Sequence, residues 1–411
     1  LVSLKANPWL SAVGAIAFAF SAYFIVSYGA GHNAKVRTAA YIAPVIMGVI
    51  LTLRKKYWAG FALTALFLGL NINSNHFQIT YYLAILILVI MLVELGFAFK
   101  EKSLPNFAKA SLILIAAAIL GLGPNIGRLW NTMEYTKETM RGGSSELSSK
   151  EEEKGGLSYD YAMGWSYGKA ETLNLLVPDF SGGGVGQTYE GTKMHDLYYN
   201  NIYQNLLSQG YPAETAKQQA NQSVASLFYW GDQAFVNGGN YIGAVAFFLF
   251  ILGFFVLKGR IKWWVAIATF IAVLMAWGRN FESLNAFLFE HLPFYNKFRV
   301  PSYTLTIAYF TVPFFGFLAL SKIFNGEYDK TKLKKQLLYT LYITGGLCLF
   351  LIVLGGSIFE FSGPNDQNLV KQGIDINPLI DDRISLMRSS ALRTLIFCGI
   401  TFGLVYLFIV E

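Results

Sequence analysis

The chain contains 411 residues, of which 54% are hydrophobic and 14% are charged. A typical soluble domain has about 25% charged residues, so this composition excludes an ordinary soluble protein. The formal net charge is +7, but the basic residues stand in short clusters between apolar segments. Nucleic acid binding requires basic residues on one accessible surface, so the charge does not indicate a nucleic acid partner.

About ten apolar segments follow one another along the chain, each close to the length that a helix needs to cross a bilayer. They are residues 8–28, 38–53, 57–70, 79–99, 107–122, 241–257, 263–277, 303–320, 337–358 and 395–410. They lack the polar–apolar alternation of an outer-membrane barrel. The sequence therefore predicts an all-α protein, a polytopic bundle of about ten transmembrane helices with a large extracytoplasmic loop region.

Clusters of lysine and arginine mark alternate connections, at Lys5 and at residues 54–56, 100–109, 258–262 and 322–335. Because basic residues beside membrane spans are retained in the cytoplasm, these connections are predicted to be cytoplasmic. Residues 124–238 then form an extracytoplasmic loop region between membrane domains of residues 1–123 and 239–411. Glu94 lies well inside a predicted span, and we expect it to snorkel towards Lys100 and Lys102 or to pair with them rather than to relay protons.

Several polar or unusual segments have simple interpretations. Residues 144–154 form a polar stretch that is predicted to be solvated. The glycine run at residues 181–186 lacks the Gly-Lys-Ser/Thr ending of a phosphate-binding loop, so it is interpreted as an ordinary loop. Cys348 and Cys398 lie in apolar segments and are predicted to be small buried hydrophobic residues.

Polar side chains recur at the predicted outer ends of the spans, where they are costly unless they line a cavity or contact a ligand. The candidates for binding a phosphate or a sugar are His32, Asn33, Lys35, Asn75, His76, Gln78, Arg128, Lys297 and Arg299. In the loop, the candidates for contacting an acceptor are Trp230, Asp232 and Gln233.

Each of these candidates has a structural alternative. The amides of Asn71, Asn73 and Asn75 are equally explained by helix capping. Arg299 offers a guanidinium that can hold a phosphate through two hydrogen bonds, but its segment also resembles an aromatic belt with interfacial cations. His32 and His76 lack a convincing third ligand, so no metal site is predicted.

An ordered set of motifs resembles the YfhO family of bacterial membrane proteins, from about residue 5 to about residue 320. The motifs are Trp9-Leu10-Ser11, Ser21-Ala22-Tyr23-Phe24, Gly31-His32-Asn33-Ala34-Lys35, Asn75-His76-Phe77-Gln78-Ile79-Thr80-Tyr81-Tyr82, Trp230-Gly231-Asp232-Gln233 and Tyr295-Asn296-Lys297-Phe298-Arg299. The resemblance implies a GT-C type glycosyltransferase in the bacterial cytoplasmic membrane. Such an enzyme takes a sugar from a polyprenyl-phosphate donor and attaches it to a cell-envelope glycan, lipid or protein on the outer face.

The resemblance also implies a catalytic Asp or Glu in the first outer loop of the family, which is expected to precede Leu1. No acid in this chain is therefore assigned as the catalytic residue, and a soluble region is expected to follow Glu411. The chemistry needs a carboxylate to deprotonate the acceptor and cationic partners for the departing lipid phosphate. No resident cofactor is predicted beyond this donor, although a divalent cation is an open alternative.

Two other functions are compatible with the sequence. A lipid or polysaccharide flippase or transporter also needs many spans, but its substrate site usually lies near the midplane between repeats, and no repeat is visible. A noncatalytic scaffold of a cell-envelope assembly would use the long loop for docking. In all three interpretations the protein contacts membrane lipids.

Overall fold

A computed structural model describes residues 1–142, 156–184, 187–234, 236, 239–363, 366–371 and 373–410. These residues form helices and loops, and the one β-feature among them is an isolated bridge between Gly182 and Tyr229. The all-α prediction is confirmed for this part of the chain. The predicted solvated stretch at 144–154 and two positions of the glycine run, Val185 and Gly186, lie outside the described residues.

Nineteen α-helices follow one another in the described part of the chain. They are α1 (Pro8–Ala19), α2 (Ala22–Gly29), α3 (Asn33–Ala40), α4 (Ile42–Leu53), α5 (Tyr57–Asn73), α6 (Phe77–Lys100), α7 (Leu104–Leu122), α8 (Ile126–Thr136), α9 (Tyr159–Ala162), α10 (Lys193–Ser208), α11 (Ala213–Ser226), α12 (Ala244–Val256), α13 (Arg260–Ala276), α14 (Glu282–His291), α15 (Thr306–Phe324), α16 (Lys330–Phe350), α17 (Gly356–Ile358), α18 (Asp366–Lys371) and α19 (Asn377–Val410). Short 3-10 turns at Tyr295–Lys297 and Pro301–Leu305 precede α15.

Six helical segments of the described chain are long and apolar enough to cross a membrane, and the number rises to eight if each of two bent helix pairs is one span. The six are Asn33–Leu53, Phe77–Lys100, Leu104–Thr136, Pro301–Phe324, Lys330–Ile358 and Asn377–Val410. The bent pairs are α1 with α2, at 43°, and α13 with the helical segment Gly278–His291, at 112°. The chain is thus a multi-pass membrane protein.

The chain divides into two compact units. The first comprises Leu1–Phe20, Ser27–Ser166 and Leu257–Gly326, and the second comprises Ser21–Val26, Tyr167–Val256 and Glu327–Glu411. The predicted division into two membrane domains and one loop region follows the order of the chain, whereas these units are assembled from separated segments.

Close helix packing in the first unit depends on glycine. A methyl group at Gly48 of α4 would come within 2.7 Å of the backbone nitrogen of Thr64 in α5. A methyl group at Gly60 of α5 would meet the backbone nitrogen of Thr52 at 2.6 Å. Small residues let helices in a bilayer approach until their backbones touch, so α4 and α5 pack as one pair.

An ion pair at the C-terminal end of α6 differs from the sequence-based expectation. Glu94 does pair with a basic residue, but the partner is Arg260 of α13, whose Nη1 lies 2.8 Å from the carboxylate. The same guanidinium also pairs with Glu101. The expected partners were Lys100 and Lys102, which are closer in the chain, but α6 packs against α13 and so brings Arg260 to Glu94.

A buried ion pair joins separate segments of the second unit. Arg383 of α19 is 1% exposed and donates to Asp366 at 2.5 and 2.9 Å. Its guanidinium also donates to the carbonyl oxygens of Leu227 and Phe361. Since a buried charge is tolerated only with such partners, this cluster holds three separate segments of the unit together.

Cys348 and Cys398 are both buried and not disulfide-bonded. Cys348 belongs to an apolar cluster with Leu176, Phe180 and Met387. The prediction that the cysteines are small buried hydrophobic residues therefore agrees with their positions.

Candidate functional site

A buried lysine lies at the N-terminal end of α3 in the first unit. Lys35 is 5% exposed, and its Nζ lies 4.3 Å from the centroid of the Tyr303 ring. Tyr303 belongs to the 3-10 turn that leads into α15. A cation over a tyrosine face is attracted by the ring quadrupole, so the ring holds the ammonium group in place.

His76 lies against the same tyrosine ring. It precedes α6, and its Nδ1 accepts a hydrogen bond from the backbone nitrogen of Ile79 at 3.4 Å, while its ring centroid is 6.1 Å from that of Tyr303. Burial, reinforced by the charge of Lys35, lowers the pKa of His76 to about 4. The imidazole is therefore neutral at neutral pH, and its Nε2 carries the proton and is a hydrogen-bond donor.

His32 adds to the basic character of this region from an exposed position at the start of α3. Burial and the nearby charge of Lys35 lower its pKa. The other charges that act on His76 come from His32 and Arg141. Lys35, His76 and Tyr303, with His32 beside them, are named here the basic cluster.

Asn33 and Asn75 are exposed at the edges of the same helices. Asn75 adopts a left-handed conformation with φ 61°, which asparagine tolerates better than most residues. The neighbouring Asn71 is buried, where its Nδ2 donates to the carbonyl of Thr38 and its Oδ1 accepts from Thr80, each at 2.8 Å. Asn71 thus links three helices, a role different from the helix capping that the sequence suggested.

Gln78 connects α6 to the segment that carries Arg299. Its Nε2 donates to the carbonyl of Arg299 at 2.5 Å and to the hydroxyl of Tyr82 at 2.8 Å. Gln78 is buried, so its main observed role is to hold this segment against α6. Val300, the residue after Arg299, has φ 62°. This conformation is unfavourable for a β-branched residue and costs about 1–3 kcal/mol.

The guanidinium of Arg299 is exposed and lies near two aromatic side chains. Its Nη1 donates to the hydroxyl of Tyr161 at 2.7 Å. Its Cζ lies 5.7 Å from the ring centroid of Tyr161 and 5.9 Å from that of Trp165. Arg299 also acts electrostatically on Tyr303. Because Tyr303 belongs to the basic cluster, Arg299 lies near that cluster.

Two other predicted cations have different surroundings. Lys297 is half-buried, burial lowers its pKa, and its side chain has no hydrogen bond or ion pair with any residue the structure describes. Arg128 is engaged elsewhere, because its Nη1 donates to the carbonyl of Asn73 at 2.6 Å. Asn73 is the last residue of α5, so Arg128 caps a helix end.

The three loop candidates belong to the second unit and are described within it. Trp230 is 7% exposed and packs against Phe361, with the guanidinium of Arg383 5.5 Å from its ring. Gln233 is also buried. Asp232 has an exposed side chain, which makes it the most accessible of the three to an acceptor.

A buried acid beside Asp232 had no signal in the sequence. Glu171 is 3% exposed and accepts hydrogen bonds from the backbone nitrogens of Gly168 and Asp232 and from the hydroxyl of Tyr229. Burial raises the pKa of Glu171 despite these donors. Because its carboxylate ties two loop segments together, we interpret Glu171 as a structural residue.

Two other loop acids, Asp179 and Asp196, and the imidazole of His195 lie within the second unit. Asp179 accepts from Ser390 and from Arg393 at 3.2 Å. His195 stacks on Tyr199 at 4.7 Å and lies 3.6 Å from Asp196. Among the described residues, no group of three or more His, Cys, Asp or Glu side chains is arranged to hold a metal ion.

The structure therefore brings together Lys35, His76 and His32, and it relates Arg299 to them through Tyr303. Sequence reasoning missed the aromatic members of the site, Tyr303, Tyr161 and Trp165. Their only signal was the density of aromatic residues near positions 161 and 303, which an interfacial belt explains equally well.

Comparisons with protein-family models, with curated proteins and with solved structures found no match to this chain.

Proposed function

We propose that this protein is a membrane glycosyltransferase of the GT-C type, similar to the YfhO family, which transfers a sugar from a polyprenyl-phosphate donor to a cell-envelope acceptor. In this proposal about ten spans cross the bacterial cytoplasmic membrane, and the basic cluster lies at its outer face. The observation that supports it best is the buried ammonium of Lys35 against Tyr303, with His76 beside it.

The chemistry of these groups suits a lipid-linked phosphate. A phosphate that leaves the sugar gains negative charge, and positively charged or hydrogen-bond-donating groups held in place stabilise that charge. Lys35 supplies a positive charge, and the neutral His76 supplies an N–H donor. Arg299, held by Tyr161, offers a guanidinium from the adjoining segment. We assign these residues to donor binding, and no acid of this chain to catalysis.

A substitution at Lys35 tests donor binding directly. Lys35→Met keeps the length of the buried side chain and removes its charge. We expect it to weaken binding of a short-chain polyprenyl phosphate by about tenfold or more, because a charge-assisted hydrogen bond contributes about 1.5–3 kcal/mol. Binding is measured by thermal shift of the purified full-length protein, with the corresponding polyprenol as a ligand that lacks phosphate. Lys137→Met, at an exposed lysine of the same unit, is the matched control.

Activity is measured as release of free polyprenyl phosphate from a polyprenyl-phosphate-linked sugar in membranes. Lys35→Met should lower this release, whereas Lys137→Met should not. Equal binding of polyprenyl phosphate and polyprenol by the wild type, or unchanged release by Lys35→Met, would contradict the donor-site assignment.

One observation favours a transporter or flippase as the second candidate. The segment α13 to α14 turns by 112° at Gly278, and broken helices often form the substrate sites of transporters. The two functions differ in products, because a flippase moves the intact lipid-linked sugar and releases no free polyprenyl phosphate. Movement without release would favour this candidate.

A further inference from the structure

A second polar region lies at the opposite end of α6 from His76. A cavity of about 390 Å³ is lined there by the end of α4, the last turns of α6 and the start of α13. Sixteen residues separate Gln78 from Glu94, a rise of about 24 Å along a helix. The cavity is therefore distinct from the basic cluster.

The two acids of this cavity share one arginine. Glu94 and Glu101 both pair with the guanidinium of Arg260, which also lies 5.3 Å from the ring centroid of Phe97. Arg260 thus contacts two carboxylates and one aromatic ring, and both carboxylates are paired with it. These three charges form a wall of the cavity.

Two further cations line the cavity. The side chains of Arg54 and Lys258 have no hydrogen bond or ion pair with any residue that the structure describes, although the charge of Glu94 acts on Arg54. The lining thus has three cations against two carboxylates. Its apolar part includes Ile50, Leu53 and Trp264, so the cavity combines an excess positive charge with a hydrocarbon surface.

We propose that this cavity binds the headgroup phosphate of an anionic phospholipid. Arg54 and Lys258 contact the phosphate, and the start of an acyl chain packs on the apolar lining. Basic pockets between transmembrane helices recognise anionic headgroups through this combination of charge and hydrophobic surface. The guanidinium of Arg54 is suited to hold a phosphate through two hydrogen bonds.

Two double variants distinguish a specific phosphate site in the cavity from nonspecific attraction of anionic lipid to a basic surface. Arg54→Gln with Lys258→Gln removes both cations from the cavity. Lys55→Gln with Lys56→Gln removes the same charge from neighbouring exposed residues that do not line it. The purified protein is delipidated in neutral detergent and titrated with phosphatidylglycerol, phosphatidylcholine or inorganic phosphate, and the shift of the thermal unfolding midpoint gives each apparent affinity.

We expect phosphatidylglycerol to bind the wild type more tightly than either other ligand. The cavity double variant should lose about tenfold or more in that affinity, since each basic residue near an anionic lipid contributes on the order of 1 kcal/mol. The control double variant should stay within about twofold. Lys258→Gln alone changes an exposed residue and should lower the affinity for phosphatidylglycerol by about fivefold. This single variant tests the proposal if the double variant does not fold.

Three results would overturn the proposal. Equal losses in the two double variants would mean diffuse attraction to a basic surface. Inorganic phosphate that binds as tightly as phosphatidylglycerol, with the same dependence on Arg54 and Lys258, would mean a site for a soluble anion. Unchanged affinity in Lys258→Gln and in the cavity double variant would mean that these side chains hold no lipid.

Discussion

Two buried cations in this protein, Arg383 and Lys35, have different neighbours. Arg383 meets the carboxylate of Asp366 and two backbone carbonyls, and removing one partner of such a buried cluster is costly. Lys35 lies on the face of Tyr303, beside a histidine that burial keeps neutral. The first arrangement joins segments of the chain, and the second is the one that we assign to an anionic ligand.

The lowered pKa of His76 predicts how stability depends on pH. The unfolded chain protonates this residue near its ordinary pKa of 6.5, and the folded protein does so only near 4. Between these values the unfolded state binds more protons, so the free energy of unfolding falls as the pH falls. We expect His76 to contribute a loss of roughly 2 kcal/mol across this window, allowing for its partial exposure.

His76→Asn removes this titration and keeps a side chain that caps α6. Unfolding midpoints in detergent between pH 7.5 and pH 4 should therefore fall less steeply in His76→Asn than in the wild type. The same substitution at the exposed His291 should leave the wild-type dependence unchanged. Parallel curves for the wild type and His76→Asn would show that the burial of His76 does not govern its protonation.

At the scale of the helix, some glycines lie where two helices touch and others lie on open helix surfaces. Gly48 of α4 faces backbone atoms of α5, whereas a methyl group at Gly96 of α6 would meet no atom within 4 Å. Both positions are helical, so helix propensity alone favours alanine at each. The difference between the two substitutions therefore measures packing.

Gly48→Ala should destabilise the protein by about 1–3 kcal/mol, because a methyl group there must push α4 and α5 apart. Gly96→Ala should be neutral or stabilising by up to about 1 kcal/mol. The measurement is the unfolding midpoint of each variant in the same detergent. If Gly48→Ala is as stable as Gly96→Ala, α4 and α5 are not in backbone contact.

For the whole molecule, the arrangement of the chain across the membrane can be tested within the first unit. The basic clusters predict that the connection at Lys100 is cytoplasmic and that Lys137 lies outside. Between them runs α7, whose 19 residues give a length of about 29 Å, close to the thickness of the hydrocarbon core.

Single cysteines at these two positions report the topology. Lys137→Cys should react with a membrane-impermeant maleimide in intact cells, whereas Lys100→Cys should react only after permeabilisation. The wild-type chain is the background control, because its two cysteines are buried. Labelling of Lys100→Cys in intact cells would reverse the predicted orientation and place the basic cluster on the cytoplasmic side.

The sequence by itself determined the helical class, the membrane-spanning character and the burial of the cysteines, because these depend on the composition of short continuous segments. It also identified Lys35, His76 and Arg299 as residues of interest, because polar groups at span ends are unusual. It could not predict that Glu94 pairs with Arg260, or that Arg128 caps α5, since both contacts join separate helices.

Only the tertiary structure decided which polar residues meet. Lys35 and Tyr303 are 268 positions apart in the chain, and no local pattern links them. Local hydrophobicity determines which segments enter the membrane, but the packing of the helices determines which of their faces come into contact. The basic cluster and the Arg54–Lys258 cavity are both products of that packing.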